Sequence, residues 1–317
     1  MKISAIVPVW NGRDLLARLL NSLEAQSLPA AEVLVIDNGS TDGAPDLARA
    51  RGARVITMGR NAGFAPAVNC GIREAAHPLL AILNSDVELA PDYLEKLAAA
   101  GAPFATGKIL APDGRLDGTF DLTCRGATTW RSGAGQPDSP PYDQPRAIHS
   151  PPWTAVLYRA EVFQQVGWLE ESFESYLEDA DFGLRCAAQG LSGRYVPEAR
   201  AIHQGSATLG RWHPETVRRM ARNQVLLAAR HRQGRDRWRI FVAQLLWGAV
   251  AARHGNGLAW ARGKWQGIRQ RSALSRQNLP DGVARLEQIL QENERFIRAH
   301  STDPYWSLYF HLTGGAK

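Results

Sequence analysis

An α/β fold on a mainly parallel sheet is predicted by three observations in the first hundred residues of this 317-residue chain. Short β-branched apolar runs alternate with segments of helical period, the runs end in polar residues, and glycines and asparagines punctuate the crossings. Such alternation imposes right-handed crossovers and covers both faces of the sheet with helices.

The first strand is read as Ile3–Val9, and the helix after it sets Leu15, Leu16, Leu19, Leu20 and Leu23 on one face. Val33–Asp37 and Arg54–Thr57 read as further strands, Ala65–Ala75 as a helix and Leu79–Leu83 as a buried strand. Ligands of such sheets sit at the carboxyl ends of the strands, where Asn11, Asp37 and Asp86 fall. From Gly101 to about Pro152 the composition shifts to Gly, Pro, Ser and Asp, as in "RSGAGQPDSPPYDQP", and predicts an irregular loop, flexible over about 111–152. The segment "WTAVLYRAEVFQQVGWLEESF" restores a strand and a helix that a glycine ends. An acidic cluster opens another helix, and a strand follows near Gly193–Pro197. Beyond Gly210 the pattern is helical and rich in Arg and Trp, so the expected division is an α/β domain over 1–210 and a basic helical region over 211–317. The apolar core Ile240–Ala252 is too short to span a bilayer and long enough for an interfacial or buried helix.

A chain that is 44% hydrophobic can bury a large core. Cys70, Cys124 and Cys186 are odd in number and lack metal-ligand spacing, which predicts reduced, mostly buried thiols. The net charge of +6 is unevenly shared: residues 1–208 carry −6 and residues 209–317 carry +12. A basic tail calls for an anionic partner, either nucleic acid or an anionic membrane surface. No leader is read in "MKISAIVPVWNG", and the expected location is the cytoplasm.

Five stretches carry chemistry. In "VLVIDNGSTDG" a buried strand ends in Asp37 and passes into a turn with Asn38, Ser40 and Asp42; the carboxylate can accept from a base NH or a ribose hydroxyl, or Ser40 or Asp42 can simply cap the next helix. In "NAGFAPAVNCGI" Gly63 allows close backbone approach and Asn61 or Asn69 can donate to a ligand, although the stretch also suits a helix entry packed by Phe64. In "LNSDVE" Asp86 follows a buried strand and is placed to hold a hard cation against a diphosphate. The cluster "FESYLEDADFGLR" sets Glu178, Asp179 and Asp181 within four residues, and Asp181 has Arg185 at i+4, a structural pairing. "VPEARAIHQGSAT" ends a strand-like run at His203, a residue type more often packed than ligating.

In this order the motifs resemble family 2 glycosyltransferases of the GT-A fold, in the rhamnosyltransferase-like branch. The likeness covers about residues 1–230 through "VPVWNG", "DNGSTDG", "NAGFAPAVNCGI", "LNSDVEL", "VGWLEESFESYLEDADFGLR" and "VPEARAIHQGS". It implies that Asp37 binds the nucleotide base with Val9 and Asn11 nearby, and that the Asp-x-Asp-like motif is Asn84-Ser85-Asp86, with Asp86 ligating a divalent cation, Mg or Mn. It further implies that Glu178-Asp179 is the catalytic pair with Asp179 as general base, and that His203 completes the metal site. Asn38, Ser40, Asn61 and Asn69 fall in the donor-binding motifs. Asn84 departs from the family's first Asp, and Thr154-Ala155 replaces a small Gly-Ala pair, with Trp153 before it as an acceptor-stacking candidate.

The implied reaction is inverting transfer from a nucleotide-diphosphate sugar to a hydroxyl of a glycan or polyprenyl-linked acceptor in bacterial cell-surface polysaccharide synthesis. The branch points to dTDP-L-rhamnose, while UDP-hexose and UDP-N-acetylhexosamine users keep the same motifs; a nucleotide-sugar-binding protein without turnover is the alternative of another class. For the tail, peripheral attachment to the anionic inner face of the membrane is expected rather than nucleic-acid binding, for which no recognition motif is present. A homodimer through the C-terminal helices is the other arrangement considered.

Overall fold

The computed structural model describes residues 1–205, 210, 212–232, 235–274 and 280–314. The alternation read from the sequence is present over the first hundred residues. Strand β1 (Ile3–Val9) is buried throughout, and α1 (Arg13–Glu24) covers it with Leu16, Leu19, Leu20 and Leu23. There follow β2 (Glu32–Asp37), α2 (Ala44–Ala50), β3 (Arg54–Thr57), α3 (Phe64–Glu74) and β4 (Leu79–Leu83). These four strands are mutually parallel in the order β4-β1-β2-β3, so Val9, Asp37 and Leu83 end on one edge. The pairing Val9↔Asp37 makes that edge level.

Next come β5 (Val87–Leu89), α4 (Tyr93–Ala99), β6 (Phe104–Leu110), β7 (Leu116–Gly118), β8 (Asp121–Thr123), β9 (Thr129–Arg131), β10 (Arg146–Ile148) and β11 (Ala155–Arg159). The expectation of an irregular loop over 101–152 is therefore corrected in part. Strand β6 and four strands of three residues lie in it, and Phe120, Leu122 and Cys124 are buried core residues, while residues 132–145, nearly all of "RSGAGQPDSPPYDQP", are irregular as expected. Antiparallel β11 is inserted between β4 and β6, so the sheet is parallel in its first half and mixed in its second.

Helices α5 (Ala160–Val166) and α6 (Glu178–Ala188) lead into β12 (Gly193–His203), which runs parallel to β6 and past the Gly193–Pro197 stretch read as a strand. Pro197 falls in an irregularity between Val196 and Arg200, where no ladder hydrogen bond is required of it, and pairing resumes beyond. The end of "VPEARAIHQGS", from residue 206, lies outside the described residues, as does residue 211 at the expected domain boundary.

Helices α7 (Pro214–His231), α8 (Arg237–Arg253), α9 (Gly257–Gln270), α10 (Pro280–His300) and α11 (Pro304–Thr313) complete the chain. They do not form a separate body. Val242, Ala243, Ile297, Trp306, Tyr309 and Phe310 share one hydrophobic cluster with Ile6, Ile82 and Phe120, and Leu226 and Leu290 share another with Phe173 and Leu184. Much of the basic charge of α7 points inward. Arg222 binds Glu174 at 2.7 Å, Arg230 binds Glu170 at 2.6 Å, and both Arg230 and His231 reach Asp181. Asp181 also receives Arg185 Nε at 2.9 Å, as the i,i+4 spacing predicts; burial works against its charge, but Arg185 and the other partners bonded to it hold the carboxyl far below the usual range.

Candidate functional site

The loops after β1 and β2 are stitched into one cradle. The Asn11 amide donates to Ser40 Oγ at 2.8 Å, Thr41 N donates to Asn11 Oδ1 at 2.9 Å, and Asp37 Oδ1 accepts from Ser40 N at 2.8 Å. Asp37 itself is buried at the strand end. Asn38 lies behind the cradle: its side chain donates to the Gly63 carbonyl and accepts from Ala62 N. Asn61 is exposed, and its Oδ1 accepts from Gly63 N at 3.1 Å in a local turn. Asp37, Asn11, Ser40 and Val9 are thus brought together, while Asn38 and Asn61 shape the neighbouring loop.

Asn69 is corrected to a buried clamp. Its amide donates to the Leu169 carbonyl and to Glu171 and accepts from Leu169 N, which ties α3 to the loop before α6 and leaves no surface for a donor sugar. Trp153 is also corrected. The indole is buried among Tyr158, Phe163 and Phe182, with ring centroids 5.2 to 6.3 Å away, so it is a core tryptophan and cannot stack on an acceptor.

The Asn84-Ser85-Asp86 turn follows β4 directly, anchored by Asn84 N donating to the Thr154 carbonyl at 2.9 Å. Pairing of β12 with β5 sets His203 opposite Val87, which places His203 Nε2 3.2 Å from Asp86 Oδ1. On the other ring nitrogen, Nδ1 lies 3.0 Å from Asp117 Oδ2. Asp117 was not singled out in the sequence. It occupies a bulge, since β7 pairs Gly118 with Ile109 and Leu116 with Leu110, and the extra residue swings its side chain toward the histidine. Burial disfavours the imidazolium, yet the two carboxylates bonded to it push its pKa up to about 9.

A divalent cation fits this pair. Two ligand atoms each about 2.1 Å from one ion at right angles stand about 3 Å apart, close to the observed separation of Asp86 Oδ1 and His203 Nε2. The Nε2 proton would leave, and Asp117 would retain the Nδ1 proton as the outer carboxylate that orients a ligating histidine. Among the described residues no group of three or more acids, histidines or cysteines is arranged around a single ion. The remaining positions therefore suit water and phosphate oxygens.

The acid pair opens α6. Residues Glu174, Tyr176 and Leu177 all have positive φ, an unfavourable backbone for side chains of this kind, and the surroundings hold them there. Asn223 donates its amide to the carbonyls of Phe173, Ser175 and Tyr176, and Arg222 donates to Phe173 O at 2.8 Å. From the other side Ala65 N donates to Glu174 O, and a Cβ at Gly63 would sit 2.8 Å from that carbonyl, so only glycine fits.

Asp179 is 17% exposed at the mouth of this turn. Burial raises its pKa to about 6; the charge of Asp121 adds to the rise, and Arg131 opposes it. Glu178 is more deeply buried, and burial together with Asp179 drives its carboxyl well above the usual range, toward the neutral form. Arg131, a second residue missed in the sequence, lies on β9 directly opposite Asp121 of β8 and forks onto it at 3.2 and 3.3 Å. Its far nitrogen is 3.9 Å from Asp179 Oδ2. The stem of Arg131 crosses Gly118, where a Cβ would come within 2.5 Å of it. The base candidate is thus separated from the Asp117–His203–Asp86 chain by one side chain.

The mixed α/β sheet, with Asp37, the Asp86–His203 pair and the raised carboxyl of Asp179 gathered at the strand ends, has the GT-A glycosyltransferase fold. Its likeness to a solved structure of GalNAc-T7 with UDP, GalNAc and Mn2+ has a TM-score of 0.61 at 14% identity, over 88% of this chain and 58% of that one. The chain belongs to glycosyl transferase family 2: the model of that name matches residues 4–114, and that of glycosyl transferase family group 2 matches residues 150–273. Relatives include the N-acetylglucosaminyl-diphospho-decaprenol L-rhamnosyltransferase of Mycobacterium tuberculosis, 29% identical over 62% of this chain and 74% of the relative. The O-antigen biosynthesis protein RfbC of Myxococcus xanthus is 32% identical over 65% of this chain, which spans 18% of that protein.

Proposed function

We propose that this chain transfers a sugar, with inversion, from a nucleotide-diphosphate donor to a hydroxyl of a glycan or polyprenyl-linked acceptor, at the cytoplasmic face of a membrane. dTDP-L-rhamnose is the first donor to test, in keeping with the mycobacterial relative's name. The observation that carries the reading is Asp179, a partly exposed carboxylate at the start of α6 with a pKa near 6, reached through Arg131 from the side of the Asp86–His203 pair.

Asp37, with Asn11 and Ser40 fixing its cradle, receives the base and ribose. Asp86 and His203 would hold Mg or Mn beside the diphosphate, and the cation supplies charge neutralisation for the leaving group. Asp179 takes the proton from the attacking acceptor hydroxyl, since its pKa lies just below neutrality and leaves it mostly ionised there. Arg131, held by Asp121, keeps that carboxylate charged and oriented. A panel of nucleotide sugars with Mg or Mn tests the reading by thermal shift, because a ligand of the native state raises Tm. Stabilisation by one donor class, followed by release of its nucleoside diphosphate on adding acceptor, is the expected result. No stabilisation by any nucleotide sugar would remove the proposal.

A further inference from the structure

The outer surface of the C-terminal helices carries a stripe that the core does not use. On α8 the inward positions are Val242, Ala243, Gly248 and Ala251. The opposite face presents Trp238, Phe241 and Leu245 at i, i+3 and i+7, each more than half exposed at 59, 57 and 52%. On α9, Gly263 and Gly267 press against α7, where a Cβ would meet the Arg218 and Arg222 carbonyls, and the outward face shows Leu258 at 76%, Trp265 at 58% and Ile268 at 51%. The helices are neighbours: Trp260 of α9 packs on Gly248 of α8, and Trp238 Nε1 donates to the Leu312 carbonyl of α11 at 3.2 Å. Leu308 and Leu312 of α11 are exposed as well.

Charge selects what covers this face. From Arg237 to Pro280 the sequence contains eight Lys and Arg and no Asp or Glu. Arg222 and Arg230 of α7 are matched to acids of the catalytic half, whereas exposed Arg237, Arg253, Arg262 and Arg269 make no ion pair among the described residues. A second copy docked symmetrically would bring two such cationic rims together. An anionic bilayer offers acyl chains for the stripe and headgroups for the rim, with indoles at the boundary between them. No described helix is long and apolar enough to cross a membrane; α8, with 17 residues, arginines at both ends and apolar side chains on both faces, buries one face in the core and leaves the other for an apolar partner.

We infer that α8, α9 and α11 form a lipid-contacting face that seats the protein on an anionic bilayer. The inference deepens the proposed presentation of a lipid-linked acceptor at a membrane and rests on that reading for its purpose, though not for its test. The full chain is sedimented with phosphatidylcholine vesicles and with vesicles that also contain phosphatidylglycerol. Binding is expected to the anionic vesicles and to fall with added salt. The pair Phe241→Ser/Trp265→Ser and the pair Arg262→Glu/Arg269→Glu should each weaken it about tenfold or more. Melting temperature and donor binding should stay at the parent values, since none of the four touches the site. Unchanged vesicle binding in both pairs overturns the inference. So does a dimer, seen by light scattering, that the substitutions dissolve without any vesicle binding, or equal retention on a duplex oligonucleotide. Vesicle binding without any response to nucleotide sugars would instead sink the proposed reaction and leave the lipid face standing.

Discussion

Asn223 of α7 donates its side-chain amide to the carbonyl of Tyr176 at 2.6 Å, two residues before the acid pair. Because the same nitrogen also reaches Phe173 O and Ser175 O, a single buried amide from the C-terminal helices holds the strained entry to α6. Asn223→Ala leaves three carbonyls without that donor and should cost about 1–3 kcal/mol in urea unfolding. The acid pair would lose its fixed position, so kcat should fall more than donor affinity. Wild-type kcat in the variant would show that the turn is held by Arg222 and Gly63 alone.

Asp179 gives a prediction in pH. Its folded pKa of about 6 lies above the ordinary carboxylate value, so the proton-accepting form grows as pH rises through 6, and kcat/KM should climb with it. The stability sign is opposite: a raised carboxyl contributes stability below its unfolded pKa and loses it as pH rises through the folded value. Asp179→Asn should therefore lower turnover by about 10²–10⁴ while raising stability at neutral pH by on the order of 1–3 kcal/mol. Nucleotide-sugar binding, followed by calorimetry, should barely change. A variant that turns over normally removes Asp179 as base.

In the proposed reaction Arg131 acts through Asp179 as a positioning residue. Arg131→Gln removes the cation that opposes protonation of Asp179, so the acid limb of the kcat/KM profile should move to higher pH. Loss is then greatest in mild acid and partly recovered in mild alkali. Arg131→Lys, which keeps the charge and loses the fork onto Asp121, should restore the limb more fully than it restores kcat. A uniform loss at every pH would mean that Arg131 only supports the hairpin.

Asp117 separates the outer carboxylate from the ligands. Asp117→Asn should weaken Mn binding, measured by electron paramagnetic resonance in the presence of nucleoside diphosphate, by about 10–100-fold. Asp86→Asn should weaken it further, because the turn contains no other carboxylate. Equal Mn binding in Asp86→Asn and the parent would place the ion elsewhere.

The ends of β2 and β4 were legible because a buried parallel strand is an uninterrupted apolar run, and the acid that follows it stands out, as Asp37 and Asp86 do; His203 instead closes a strand that alternates buried and exposed residues. Asp117 and Arg131 were not, since they lie on three-residue strands inside a Gly- and Pro-rich segment whose composition reads as loop. A bulge or a cross-strand partner depends on register, which no local period records. Trp153 and Asn69 show the converse error. Each has the chemistry of a ligand contact, and only the packing of Phe182 and of the Leu169 loop reveals that this chemistry is spent inside. The basic tail was legible as charge, but the division between arginines that bind the catalytic half and those that face outward emerges only from the fold.

The β8–β9 hairpin sets a working distance. At its turn Gly126 lies so close to α8 that a Cβ would meet Ala243 at 2.7 Å and the Arg239 carbonyl at 3.1 Å, while Asp121 and Arg131 close the other end beside Asp179. Three residues of strand measure about 10 Å, and the helix beyond adds about another 10 Å. If α8 lies on a bilayer as inferred, the hairpin would act as a ruler, and the hydroxyl reaching Asp179 would belong to a head group of matching height. Acceptors whose head groups differ in length should then differ in rate in vesicle assays, and the preference should vanish in detergent.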